Sequence, residues 1–457
     1  MPQEQLPERL SWFRHAGLGL FIHWDHASQH GYEISWPVVG GHPLFPGHVV
    51  STPEEYHASA RTFDPQDWDP GRLASLASSA GAAYAIFTAK HLSGWAAWPS
   101  AVPGAFSIAS SPYGQRAGDL VRDFVAAFRA AGLRIGLYFS LPDWHHPDYA
   151  HWPPDQRPYP VRPAMPEPDA WQRYLGFLRD QLTELLTSYG PVDLLWFDGA
   201  WEREDKAWQP AELAAQVRAL APEIIINDRL PGHGDYVTPE NYDPYSPAGR
   251  SAWELCLTMG EAWAWVPEDD DYKSAAEIIR TLAEVASRGG NLLLDVGPTG
   301  TGALGDRQQQ VLERLAAWME VHRESVLNVE PGLEPWQFYG PSTRRGDTLY
   351  LHLAGWPEDN VVVRGVDVLR VHAVTMLSTG VELAFRGRLS IPDLAAVATG
   401  MPAVRPAGDL VITVPDRRPD TELPVIAVQF SATPPAIEDV PWMRTYLRRR
   451  QRSLETS

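Results

Sequence analysis

The chain has 457 residues, with 38 basic against 57 acidic side chains and a formal net charge of −19. A surface that acidic repels phosphate backbones and argues against a nucleic-acid partner. No window approaches the roughly 18 uninterrupted apolar residues of a membrane span. Hydrophobic content of 44% at this length implies two domains, one large enough to be a barrel. The one cysteine, Cys256, sits in the apolar run Leu255-Cys256-Leu257 and reads as a packing residue. It rules out an internal disulfide and fits a reducing compartment. Met1 to Arg9 is polar, without an apolar stretch of signal-peptide length, so a cytoplasmic protein is expected. Of the 19 tryptophans, many stand beside His, Asp or Gly, which points to aromatic-lined clefts with carbohydrate as ligand.

In chain order, Leu18 to Asp25 is an apolar strand ending in polar and aromatic groups. Trp68 to Ala80 has helical spacing, and Ala83 to His91 is again a strand, ending in a basic pair. Asp119 to Ala131 is an amphipathic helix, with Leu120, Val121, Phe124, Val125 and Phe128 on one face and Gly132 as its stop. Leu133 to Ser140 is the next strand, followed by Asp143, Trp144, His145 and His146. A proline-rich loop from Pro153 to Pro168 precedes a helix over Trp171 to Tyr189. The run from Asp193 to Trp201 reads as a buried strand closed by Asp198-Gly199. Then come a helix over Ala211 to Leu220, a strand over Glu223 to Arg229, a helix over Ala275 to Ser287 and the strand Gly289 to Pro298.

Strand alternates with helix, and chemistry collects at the C-terminal strand ends. The α/β class follows: a (β/α) barrel over residues 1–334, whose C-terminal face carries the site. No glycine-rich phosphate fingerprint follows an early strand, which counts against a dinucleotide fold. From about 335 to 434 the pattern is short strands between Gly, Pro and Asp turns, as in an all-β sandwich. Residues 435–457 read as a helical basic tail with Arg444, Arg448, Arg449, Arg450 and Arg452, a solvated helix end.

Two carboxyls flanking a glycosidic bond can hydrolyse it, one attacking C1 and the other protonating the leaving oxygen. Asp198, at a rigid strand end beside Trp196 and Trp201, suits the nucleophile; the plainer reading is a helix cap. Asp235, Glu240 and Glu254 are each candidates for the acid/base, and spacing does not choose among them.

Several motifs in order resemble the retaining α-L-fucosidases of glycoside hydrolase family 29, over roughly residues 10–300. They are Trp12-Phe13 with Gly19-Leu20-Phe21-Ile22-His23-Trp24, Thr88-Ala89-Lys90-His91, Gly136 to Ser140 with Trp144, and Leu195-Trp196-Phe197-Asp198-Gly199. Ile226-Asn227-Asp228-Arg229, the loop Gly234 to Glu240, Trp253-Glu254 and Gly289 to Leu294 complete the series. The resemblance implies Asp198 as nucleophile and Glu240 as acid/base. It implies His23, His91, Tyr138, Trp196 and Arg229 around the sugar, Trp36 as a wall, and no cofactor or metal. A fucosylated oligosaccharide or glycoside would be the substrate, and oligomeric state stays open. The chain departs from the family at Leu92, where many members have a second histidine, and at Asp25, where glycine is usual.

Other readings stand beside this one. His23 and His91 can be satisfied core histidines, Tyr138 and Trp196 barrel packing, and Arg229 a partner of Asp228 or Glu240. Glu254 fits a structural role bonded to the backbone. A glycosidase for a fucose-like sugar (L-galactose or a β-D-arabinopyranoside) shares the ring stereochemistry. A non-catalytic carbohydrate-binding protein would keep the aromatic cleft without needing both carboxyls. A metal-dependent hydrolase would use Asp143, His145 and His146.

Overall fold

A computed structural model describes residues 7–40, 51–149, 164–241, 252–390, 393, 407–419, 421–432, 440, 442–444, 448 and 452. Residues 153–163 of the proline-rich loop and most of the basic tail lie outside them. The chain divides into two compact units, Met1–Ala275 with Gly290–Ala317, and Ala276–Gly289 with Trp318–Ser457.

The first unit is built on seven parallel strands. They are β1 (Leu18–Ile22), β2 (Tyr84–Lys90), β3 (Arg134–Ser140), β4 (Leu194–Asp198), β5 (Ile225–Ile226), β6 (Glu254–Thr258) and β7 (Asn291–Val296), in the order β5-β4-β3-β2-β1-β7-β6. Apart from exposed Arg134 every residue of these strands is buried, as expected when helices cover a parallel sheet. The sheet curls until β5 and β6 face one extended segment, 236–240. Asn227 bridges to Tyr236 on one side, and Val237 to Trp253 and Glu240 to Cys256 on the other, all in parallel sense. Backbone bonds therefore close the ring, with this segment as an irregular eighth stave.

Ring closure needs small residues opposite large ones. A Cβ on Gly19 would lie 2.4 Å from the Tyr84 ring, and one on Gly136 would lie 2.7 Å from Ile86. Phe21, Tyr84, Ile86, Tyr138, Leu194, Trp196, Ile225, Tyr236, Cys256 and Leu293 fill the interior as one cluster. The side chains at the strand ends above this plug form the site.

The helices are α1 (Pro53–Ser59), α2 (Pro70–Ser79), α3 (Pro112–Gln115), α4 (Leu120–Ala130), α5 (Pro168–Ser188), α6 (Pro210–Leu220), α7 (Ala275–Ser287) and α8 (Asp306–His322). Their starts follow capping chemistry. Asp69 and Asp119 each accept the N–H three residues on, at 2.9 Å, and Thr52 with Glu55 forms a capping box. Helix α5 begins three residues before the expected Trp171 because Pro168 suits the first helical turn. The strand expected over 223–229 shrinks to Ile225–Ile226. At Asn227 the side chain takes over, accepting the Phe197 N–H and donating to the Phe197 carbonyl, each at 2.9 Å.

The second unit is a sandwich of two antiparallel sheets. Strands β8 (Glu330–Pro331), β9 (Ser342–Arg345), β10 (Thr348–His352), β11 (Asn360–Asp367), β12 (Val371–Met376), β13 (Val381–Glu382), β14 (Phe385–Arg388), β15 (Ala407–Thr413) and β16 (Val425–Phe430) form it. One sheet runs β13-β12-β16-β10-β9-β8 and the other β11-β15-β14. Alternate residues of both meet in one core, among them Leu349, Leu351, Val374, Ile426 and Val428 against Val361, Val363, Leu410 and Ile412.

Asn291 ties the entry of the barrel to its last strand. Its Oδ1 accepts the Gly17 N–H at 2.8 Å and its Nδ2 donates to the Phe13 carbonyl at 2.6 Å, all buried. Asn291→Ala leaves two backbone groups unpaired and should cost about 2–4 kcal/mol, read as a lower denaturant midpoint.

Candidate active site

Eight side chains expected at the site line one cavity of about 190 Å³: His23, Trp36, His91, Tyr138, Trp196, Asp198, Arg229 and Glu240. Phe21, Leu92, Trp201 and Trp263 complete the lining. Such a volume lies below that of drug-sized pockets and suits one sugar ring.

Asp198 closes β4 and is 7% exposed. Its Oδ2 accepts the Tyr138 hydroxyl at 2.8 Å and its Oδ1 accepts Arg229 Nη1 at 2.9 Å. Gly199 follows at φ 82°, where a Cβ would lie 2.3 Å from Pro142, so the turn after the acid requires glycine. Asp198 thus does not cap a helix; both its oxygens face the cavity's own groups.

Arg229 is the hub. Nη2 donates to Glu240 Oε2 at 2.7 Å, Nε donates to Thr238 Oγ1 at 3.2 Å, and the guanidinium lies 4.4 Å over the Trp196 ring. Burial works against its charge, but Asp198 and Glu240 more than offset this and hold it firmly protonated. The Glu240 side chain is 41% exposed at the mouth, on the eighth stave. The Asn241 N–H bonds to the Cys256 carbonyl at 2.8 Å and anchors that stave just past Glu240.

The histidines are neutral. His23 Nδ1 lies 2.7 Å from Asp295 Oδ1, and burial pushes His23 down to about 3, against the opposing pull of Asp198 and Glu240. Burial also lowers His91, with His23 adding to it. His91 stacks on Tyr138 with ring centroids 5.3 Å apart.

The family model described as Alpha-L-fucosidase matches residues 2–324. The chain belongs to the α-L-fucosidase family. It is 30% identical to the tissue alpha-L-fucosidase of Rattus norvegicus over 409 residues, 81% of this chain and 82% of that protein. It is likewise 30% identical to the tissue alpha-L-fucosidase of Macaca fascicularis over 383 residues, 77% of this chain and 76% of the other. The solved alpha-L-fucosidase isoenzyme 1 from Paenibacillus thiaminolyticus superposes with a TM-score of 0.77 at 28% identity, covering 93% of this chain and 99% of that one. As a family member the protein is a glycoside hydrolase.

Within this α-L-fucosidase frame the three acid/base candidates part company. Asp235 bonds Arg9, Arg218 and the Ile226 N–H, away from the cavity lining. Glu254 is fully buried beneath the site, where it accepts the Tyr84 hydroxyl and the Trp196 Nε1–H, the latter at 3.1 Å. Of the three, Glu240 alone lines the cavity. Leu92, in place of a second histidine, is an apolar wall there and packs where a Gly199 Cβ would lie.

Among the described residues no three His, Cys, Asp or Glu side chains are placed to hold a metal. Asp143 turns its Oδ1 to the N–H groups of His145 and His146 and pairs with buried Lys90 at 3.5 Å. Phe21 and Trp263 were not expected at the site. Phe21 points inward from β1, as alternation from His23 would place it, whereas nothing around Trp263 marks its place.

Burial raises Glu254 to about 7 from an ordinary 4.5. The folded protein therefore keeps a proton that the unfolded chain releases, so this group's contribution to stability falls as pH rises from about 4.5 to 7. Glu254→Gln should flatten that part of the stability–pH curve, by at most about 3 kcal/mol across the window. Denaturant midpoints of both proteins across that range check it.

Proposed function

We propose that the protein hydrolyses terminal α-L-fucosyl residues with retention, Asp198 acting as nucleophile and Glu240 as acid/base. The observation that carries this reading is the single guanidinium of Arg229, bonded to Asp198 at 2.9 Å and Glu240 at 2.7 Å. One fork bonded to both carboxyls brings them to the same end of the cavity, as a two-carboxyl mechanism needs.

In the first step Asp198 attacks the anomeric carbon as the bond to the leaving oxygen breaks, and Glu240 gives that oxygen its proton. In the second, Glu240 takes a proton from water, whose oxygen attacks the same carbon and releases Asp198. Tyr138 and Arg229 hold the nucleophile still by its two oxygens. Glu240 stands at the open mouth, where the aglycone leaves and water arrives. His23, His91 and Trp36 are the proposed contacts to the sugar. Phe21 and Trp263 offer an apolar wall, which suits the methyl group of fucose better than the hydroxymethyl group of L-galactose. The buried single cysteine supports a cytoplasmic place of action, which fractionation of the source cells would check.

Asp198→Ala should lower turnover by several orders of magnitude without unfolding the protein, and azide should restore part of it on an activated substrate. Azide then attacks the α-linked substrate directly and should give the β-fucosyl azide. Glu240→Ala should hurt natural glycosides far more than aryl glycosides with good leaving groups. With azide it should give the α anomer, through a β-linked intermediate on Asp198. NMR of the azides distinguishes the two; a β-azide from Glu240→Ala rules the pairing out.

A further inference from the structure

Ser35 has a backbone conformation that residues with side chains seldom adopt, φ 61° and ψ −33°. Left-handed φ at a non-glycine persists only where the surroundings hold it. The next residue, Trp36, lines the cavity. A buried string of hydrogen bonds holds the turn. The Ser35 N–H donates to Tyr56 Oη at 2.9 Å, and Tyr56 Oη donates to Asp25 Oδ2 at 2.9 Å. Asp25 Oδ1 in turn accepts the Ala27 N–H at 2.7 Å. On its other side Ser35 Oγ accepts the Ser93 N–H at 2.8 Å and meets His91 Nδ1 at 2.7 Å. Asp25, Ser35, Tyr56 and His91 are all buried.

The polarity of the string runs one way, from amide to phenol to carboxylate, so no hydrogen is contested. Ser35 Oγ, already an acceptor from Ser93, has its own hydrogen to give to His91 Nδ1. That places the imidazole proton on Nε2, a donor for a sugar hydroxyl. The far end reaches the reaction, because His91 stacks on Tyr138 and Tyr138 donates to Asp198.

We propose that Asp25, Tyr56 and Ser35 are positioning residues for sugar binding that act through His91, setting its ring orientation and tautomer. The inference rests on reading the cavity as the fucose site. None of the three lines the cavity, so their effect on a ligand must pass through groups that do.

The test is calorimetric titration of the full chain with L-fucose, which needs no turnover. Tyr56→Phe removes one oxygen and should weaken fucose binding about tenfold, the scale of one lost positioned hydrogen bond. His91→Ala should weaken it at least as much, and adding Tyr56→Phe to His91→Ala should cost less than about threefold more. Asp25→Asn, which must turn a donor NH2 towards either the Ala27 N–H or the Tyr56 hydroxyl, should also weaken fucose binding. Should Tyr56→Phe fail to fold, Ser35→Ala, which removes only the hydroxyl, enters the same cycle. Unchanged fucose affinity with a lowered melting temperature marks a purely structural string and overturns the proposal, as do single losses that multiply in the double variant. A wild-type chain that does not bind L-fucose overturns the functional reading and this inference together; binding that is indifferent to Tyr56 overturns this one alone.

Discussion

A guanidinium drawn into a cleft needs counter-charge, and half-buried Arg229 takes it from Asp198 and Glu240, the two carboxyls proposed to carry the chemistry. Its charge is costly away from water unless each face is met. Asp198 and Glu240 each supply a carboxyl oxygen, Thr238 a hydroxyl and Trp196 the negative face of its ring. Removing either acid would take from the guanidinium one of its two bonds to a carboxyl, so the two acids are coupled through the arginine. Asp228 reinforces the arrangement from below, accepting both the N–H and the hydroxyl of Thr238.

That demand shapes the barrel at its weakest point. An ordinary eighth strand would pair along its length; here 236–240 meets its neighbours only through isolated bridges. A proline at 239 lacks an N–H, yet its carbonyl still accepts the Cys256 N–H at 3.0 Å. The segment is thereby held on both sides without being regular, and Glu240 projects at the rim. For the other carboxyl the Asn227 side chain does similar work, so Asp198 follows a residue bonded at both its N–H and its carbonyl.

Strands β1 to β4 and β7 are legible in the sequence because each is an apolar run ended by polar residues. Strand β6 is not, because it opens with Glu254, a carboxyl buried for the sake of Tyr84 and Trp196. The eighth stave, Tyr236-Val237-Thr238-Pro239-Glu240, has no apolar run at all. Helix α8 hides behind its opening Asp-Arg-Gln-Gln-Gln, with no apolar periodicity in the first turn. An acid at a strand end advertises Asp198, but the choice among Asp235, Glu240 and Glu254 is a matter of partners and exposure, which spacing does not encode. Ser35 and Tyr56 carry no local signal either, since their importance lies in bonds to residues 21 to 58 positions away.

Burial of the histidines has a chemical consequence for the proposed reaction. The transition state of glycoside cleavage develops positive charge on the sugar ring. A protonated His23 or His91 would set a second cation against it in a site of low dielectric, where repulsion is strong. Desolvation prevents this, since it holds His23 near 3 and His91 below its ordinary value. Among the described lining residues only Arg229 then carries a permanent positive charge, and that charge is already paired with Asp198. The histidines can consequently act as neutral hydrogen-bonding groups to hydroxyls over a wide range of pH. The same burial that makes them hard to protonate obliges their inner nitrogens to find partners, and those partners, Asp295 for His23 and Ser35 for His91, are what give the rings their direction.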